Sequence, residues 1–200
     1  MELNTIIEDR SCGSCTLCCK VLSITELDKP QGVWCRHAIV GKGCSIYPDR
    51  PSECRTFLCG YLSWSVVGEH WEPAKCKMVI VSELNGQRIG VHVDPGRPSA
   101  WREQPYYDEL KQMAVAGASQ NIQVVVCIKN RAIVILPDKD VDLGPVAEDE
   151  RIVSGVTVEA GLERFEAYKM KADDPRIAGM QPGKPVTFSK PTIFKNIYEN

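Results

Sequence analysis

No excess of either charge marks this chain. Its 24 Lys and Arg stand against 26 Asp and Glu, for a net charge of −2. A protein that grips nucleic acid through its phosphates usually carries a basic excess, so nucleic acid is not expected as a partner. Long apolar runs are also missing. None approaches the ~18 residues that a membrane-spanning helix needs, and no membrane association is expected. The first ten residues, MELNTIIEDR, hold neither a basic n-region nor an apolar h-region. They do not read as a secretory signal, and the expected compartment is the cytoplasm. G-x-S-x-G, H-E-x-x-H and a phosphate-cradling P-loop are absent as well, which removes the common hydrolytic and nucleotide-handling constellations.

Cysteine is what the chain has in quantity. Ten occur, nine of them between Cys12 and Cys76, with Cys127 alone beyond. In a reducing cytosol, cysteine spacing reports metal binding or catalysis more often than disulfides. A disulfide framework is the competing reading.

Composition divides the chain into three stretches. Residues 1–76 are interrupted by Gly, Pro and charge and show little long periodicity, as expected of a small module held together by metal rather than by a large apolar core. Residues 77–172 carry regular patterns. KMVIVSEL and QRIGVHV flank Asn85-Gly86, a hairpin turn signal. PYYDELKQMAVAGA reads as a helix that opens near Pro105, with Tyr106, Leu110, Met113 and Ala114 on one stripe and Gly117 as its stop. IQVVVCI and RAIVILP form a second hairpin about Lys129-Asn130, with Cys127 as a buried core thiol. Residues 138–156 read as an acidic loop. TVEAGLERFEAYKMKA reads as a helix with Val158, Leu162 and Phe165 on one face. Residues 173–200, dense in Pro and Gly, form a tail or a strap laid over the core by Phe188, Ile193, Phe194 and Tyr198. The expected fold class is α+β: a small cysteine-rich, metal-stabilised module, then a β-β-α-β-β antiparallel sheet unit, then a C-terminal helix and tail.

The stretch SCGSCTLCCK supplies Cys12, Cys15, Cys18 and Cys19. On a helical turn at ~100° per residue, Cys12, Cys15 and Cys19 would share a face and Cys18 would diverge from Cys19. In a loop the doublet could serve one site. The pair therefore points to two adjacent metal sites or one polynuclear cluster. A second block, WCRHAIVGKGCSIYPDRPSECRTFLCGY, adds Cys35, His37, Cys44, Cys54 and Cys59. Gly41 and Gly43 permit a tight backbone turn before Cys44. Asp49-Arg50-Pro51 reads as a helix start. Cys54 is placed inside that helix and Cys59 at its frayed end, with Gly60 as a left-handed stop. Eight ligands would fill two tetrahedral sites, and Cys76, furthest away in sequence, is the first candidate for a spare. His37 suits a ligand or a supporting role. Lys20, Arg36, Lys42, Arg50 and Arg55 are interleaved with the thiols, where cations favour the thiolate; solvated surface charge is the plainer reading for Lys20 and Lys42. His70 and His92 carry no signal beyond packing, and Trp64 and Trp71 read as cover for the module.

C-x2-C-x2-C-C at 12–19 followed by GCSIYPDRPSECRTFLC at 43–59 resembles the CxxCxxCC cysteine-cluster family, called YkgJ-like, of zinc- or iron-chelating domains. The resemblance covers roughly residues 10–60. It implies metal binding by Cys12, Cys15, Cys18, Cys19, Cys44, Cys54 and Cys59, with Cys35 added. One branch of that family resembles flagellin lysine methylases, but these are much larger proteins and the activity is not carried over. The C-x2-C-x2-C run also matches the local spacing of bacterial ferredoxins, although Cys19 stands where those have none. The expected cofactor is zinc or iron, with a 4Fe-4S cluster as one form of the iron. Three functions follow: a metal-binding protein with a redox or protein-modifying role, a zinc-stapled protein-interaction module, or a metal carrier. The expected partners are metal ions and a protein partner or substrate.

Overall fold

The computed structural model describes residues 6–159, 162–178 and 187–188. It contains both helices and sheets, compatible with an α+β class. The first part of the chain has only short elements: helix α1 (Cys18–Val21), strands β1 (Ala38–Ile39) and β2 (Gly43–Cys44), and helices α2 (Ser52–Thr56), α3 (Gly60–Ser63) and α4 (Pro73–Cys76). β1 and β2 pair antiparallel. Gly41 and Gly43, with φ of 73° and 129°, let this small hairpin close.

The regular part follows, with β3 (Met78–Glu83), β4 (Arg88–Val93), helix α5 (Tyr106–Ala118), β5 (Gln123–Ile128), β6 (Arg131–Ile135) and β7 (Asp140–Pro145). Both expected hairpins form. β3 and β4 pair from Met78↔Val93 to Glu83↔Arg88 across the Asn85-Gly86 turn, and β5 and β6 pair across Lys129-Asn130. The helix stripe is also where the pattern put it: Leu110 and Ala114 are buried, and Tyr106 and Met113 pack against the core.

Three expectations are corrected. The sheet is mixed rather than antiparallel, because β4 and β5 run parallel in the order β3-β4-β5-β6-β7. Parallel neighbours need a crossover, and α5 supplies it. The acidic stretch expected to be a loop contains strand β7. Val141 and Leu143 alternate with Asp140 and Asp142 and pack on the sheet, and Arg131 Nε donates to Asp142 Oδ1 at 3.0 Å across the β6–β7 pair. The expected helix at 157–172 is a hairpin of β8 (Glu150–Glu159) and β9 (Leu162–Lys171), paired from Glu150↔Lys171 to Glu159↔Leu162. Ile152, Val153, Val156, Thr157 and Val158 are β-branched and stiff at χ1, and that density outweighs a sparse helical stripe. Helix α6 (Pro175–Ala178) follows, and β10 (Thr187–Phe188) pairs parallel with β8. The rest of the expected tail, and all the side chains of its proposed strap, lie outside the described residues.

The sheet is apolar on both faces. Val79, Ile80, Val91, Val124, Val126, Ile133 and Ile135 join a core that also takes Leu110 of α5 and, from the cysteine-rich stretch, Leu17, Val21, Leu62, Val67 and Trp71. Val125, Val134 and Leu136 lie in a second cluster, covered by Phe165 and Ala167 of β9. The short elements of the first stretch are thus seated on the sheet. Gly60 shows how closely: a Cβ there would meet Trp64 Cε3 at 2.8 Å and Ile80 Cγ2 at 2.9 Å. Gly60 opens α3 in this tight place and is not the left-handed stop the sequence suggested.

Candidate functional site

Cys12–Leu17 is a loop, not a helix. Gly13 has φ 47°, and the Cys15 amide donates to the Cys12 carbonyl at 2.7 Å. Helix begins only at Cys18. The helical face expected to hold Cys12, Cys15 and Cys19 together therefore does not form; Cys18 and Cys19 both lie on α1, and both line the same space. The Cys35 amide donates to the Cys19 carbonyl at 2.9 Å, joining the second block of cysteines to the first.

α2 carries Cys54, as expected. Its start is held by one carboxylate from a distant turn. Ser52 Oγ donates to Glu26 Oε1 at 2.5 Å and the Glu53 amide to the same oxygen at 3.1 Å. In return, Glu53 Oε2 accepts from the Thr25 amide at 2.8 Å. Anions at a helix N-terminus satisfy donors that lack intrahelical partners. Cys59 lies between α2 and α3 in extended backbone, which turns it back toward the other thiols. Arg10 braces α3 and the segment after it by donating to the carbonyls of Tyr61 at 2.6 Å and Val67 at 2.7 Å and to Glu69 at 2.8 Å.

These segments enclose a cavity of about 410 Å³. Its wall includes Cys12, Cys15, Cys18, Cys19, Cys35, Cys44, Cys54 and Cys59, and also His37. Among the described residues, no three Cys, His, Asp or Glu side chains converge closely enough to share one ion. The thiols surround the space and do not meet at a point. Cys76 is elsewhere. It is buried at the end of α4, its thiol donates to the carbonyls of Trp71 and Met78 at 3.4 and 3.3 Å, and burial pushes it up to about 12.

Burial pushes the thiols of Cys12, Cys15, Cys54 and Cys59 up from their ordinary range. Neighbouring sulfurs add to this in two overlapping groups. Cys59 senses Cys12 and Cys15, whereas Cys54 senses Cys19, Cys35 and Cys44. Cys19 also bears on Cys12 and Cys15, so it belongs to both groups. Within the doublet, the Cys18 thiol donates to the Cys19 sulfur, which raises Cys18 and lowers Cys19. Lys29 lowers Cys19 further.

Lys29 is the residue the sequence did not reveal. It is only 7% exposed, and its Nζ donates to the carbonyls of Lys20, at 2.9 Å, and Leu22, at the end of α1. A lysine between Asp28 and Pro30 has no sequence signal that separates it from a surface lysine. The expected cations divide. Arg50 and Lys42 line the cavity. Lys20 is paired with Asp94 at 2.5 Å and stands over Trp34, and Arg36 donates to the Leu27 carbonyl. Arg55 is exposed on α2.

The remaining candidates have packing roles. Trp71 is fully buried and donates to Glu109 at 2.5 Å, and Trp64 packs against the core. His92 is buried between Gln31, at 2.8 Å, and Glu83, at 2.7 Å. Cys127 is half-buried against the second cluster, less enclosed than a core thiol, and burial pushes it up to about 12.

Compared with protein-family models, curated proteins and solved structures, the chain matches none. The site is therefore read from its own residues.

Proposed function

We propose that this is a cytoplasmic metal-binding protein of the CxxCxxCC cysteine-cluster kind, which holds zinc or iron in the thiol-lined cavity. One observation carries the reading. Eight cysteines and His37, drawn from two blocks of sequence separated by up to 47 positions between Cys12 and Cys59, line the same space. The donor set fits the cofactor by its chemistry. Soft thiolates with one imidazole suit zinc and iron–sulfur clusters, not the oxygen-seeking cations. Cys12, Cys15, Cys18, Cys19, Cys35, Cys44, Cys54 and Cys59 would hold the metal, and His37, on the same wall, would join them. A bound cluster would supply electron transfer, and bound zinc would supply Lewis acidity or a staple. Two overlapping groups of thiols sharing Cys19 favour more than one ion. Buried, protonated thiols must lose protons on loading, so affinity rises with pH. The cavity's volume favours a redox or protein-modifying role over a closed structural site.

A second reading is a zinc-stapled protein-interaction module or metal carrier. Val33, Trp34, Ile39, Val40 and Tyr47 favour it, because all five are exposed apolar side chains in the cysteine-rich stretch. Anaerobic purification followed by measurement of zinc, iron and acid-labile sulfide, with a visible spectrum, separates the readings. Matched iron and sulfide with a broad visible band supports a cluster. Zinc alone, resistant to exchange, supports the staple, and readily exchanged zinc supports the carrier. A folded, metal-free protein that takes up neither metal contradicts them all.

A further inference from the structure

We infer that the thiol-lined cavity also takes a small organic carboxylate with an apolar body, received by Arg50. This rests on the proposed metal-binding reading of the same cavity and names a ligand beyond the metal. The space is the first reason. About 410 Å³ falls within the roughly 300–1,000 Å³ of small-molecule pockets, and a water's share of liquid volume is only about 30 Å³. Between the thiols the wall is apolar, with Leu22, Ile24, Ile46 and Phe57. Such a wall offers little to a hydrated metal ion but suits a hydrocarbon body.

Arg50 is the second reason. Its guanidinium lies 3.9 Å from the centre of the Tyr47 ring, which covers one face, and Tyr47 engages one of its five N–H donors. Its Nε is buried and has no hydrogen-bond partner among the described residues. The planar fork matches a carboxylate through two parallel hydrogen bonds. The other cation on the wall, Lys42, is exposed. Of the wall's carboxylates, Glu53 is engaged by the Thr25 amide at 2.8 Å and Glu72 by Lys75 at 2.5 Å, so neither serves Arg50. A phosphate would be received by the same fork, but it is more strongly hydrated than the apolar wall favours.

Calorimetric titration of the purified chain with butyrate tests this, with neutral butyramide and inorganic phosphate as comparisons and metal content measured on the same samples. Butyrate should bind saturably and butyramide should not. Arg50→Gln should weaken butyrate by about tenfold or more, the scale of a lost charge-assisted hydrogen bond. Arg50→Lys keeps the charge and removes the fork, and it should also weaken binding, which guards against a folding defect in the first variant. Equal butyrate affinity in all three proteins overturns the inference, as does absence of saturable binding or tighter binding of phosphate than of butyrate. Loss of metal in both variants also overturns it, because Arg50 then serves only to balance the thiolates. Arg50-dependent butyrate binding to a chain that takes up no metal would uphold this site and sink the metal reading alone.

Discussion

The cysteine-rich stretch and the sheet are built on different physics. The sheet has strands of five and six residues, apolar on both faces, and buries Val79, Ile80, Val91, Val124, Val125, Val126, Val134 and Ile135 almost completely. Burying such side chains stabilises by about 1.5–3 kcal/mol each against the entropy of ordering the chain. The cysteine-rich stretch has helices of only four or five residues and strands of two. Isolated helices that short are not stable in water. Its own anchors are single contacts: Arg10 on carbonyls, Lys29 on the end of α1, and the reciprocal grip between residues 25–26 and 52–53. Its apolar side chains are lent to the sheet's core, and its centre is a cavity walled by thiols. On the proposed reading, a metal held by the thiols would supply the remaining stability of this region.

Four substitutions would break or sharpen this contrast. The largest effect is expected from Cys54→Ser. If metal affinity is folding energy, on the scale of about 10 kcal/mol for structural zinc, the variant should lose metal and amide-exchange protection across residues 11–76 while β3–β6 stay protected. Leu110→Ala should do the opposite. Leu110 is fully buried beneath α5, and its truncation should cost about 2–5 kcal/mol, read as a lower chemical-denaturation midpoint for the sheet, with metal stoichiometry retained.

Glu26→Gln should be milder and depend on pH. The Ser52 hydroxyl and the Glu53 amide hold the Glu26 carboxyl below its usual range. A depressed carboxylate contributes stability that is present above its unfolded pKa and is lost as pH falls through the folded value. The wild type should therefore lose the advantage of this grip below the ordinary glutamate range, about pH 4.3, while the Gln variant lacks it at neutral pH already. Thermal melts across that range would read the difference. Cys127→Ala should have the smallest effect. It is remote from the cavity, so metal content should be unchanged, and the melt should shift by little, as for substitutions that leave neither a large cavity nor an unpaired polar group.

Legibility followed the same division. The hairpins at Asn85-Gly86 and Lys129-Asn130 and the stripe on α5 were readable because strand alternation and helical period are local signals. The parallel β4–β5 pairing was not, since it depends on where α5 returns the chain. The β8–β9 hairpin is masked in the sequence because Val158, Leu162 and Phe165 also fit a helical stripe, and only the neighbouring β-branched residues decide against it. At the site, spacing and residue type gathered the thiols that share the cavity and set Cys76 aside. The conformation of the Cys18-Cys19 doublet needed the fold, because the loop at 12–17 has no periodicity to read. Lys29 was invisible because burial of a lone lysine is a property of the whole surface around it.

Hydrogen–deuterium exchange on the metal-loaded chain and on the same chain after chelation tests the central claim most directly. Removal of metal should abolish protection through residues 11–76 and leave β3–β6 largely protected. Identical exchange in the two states, or uniform loss across both regions, would contradict it.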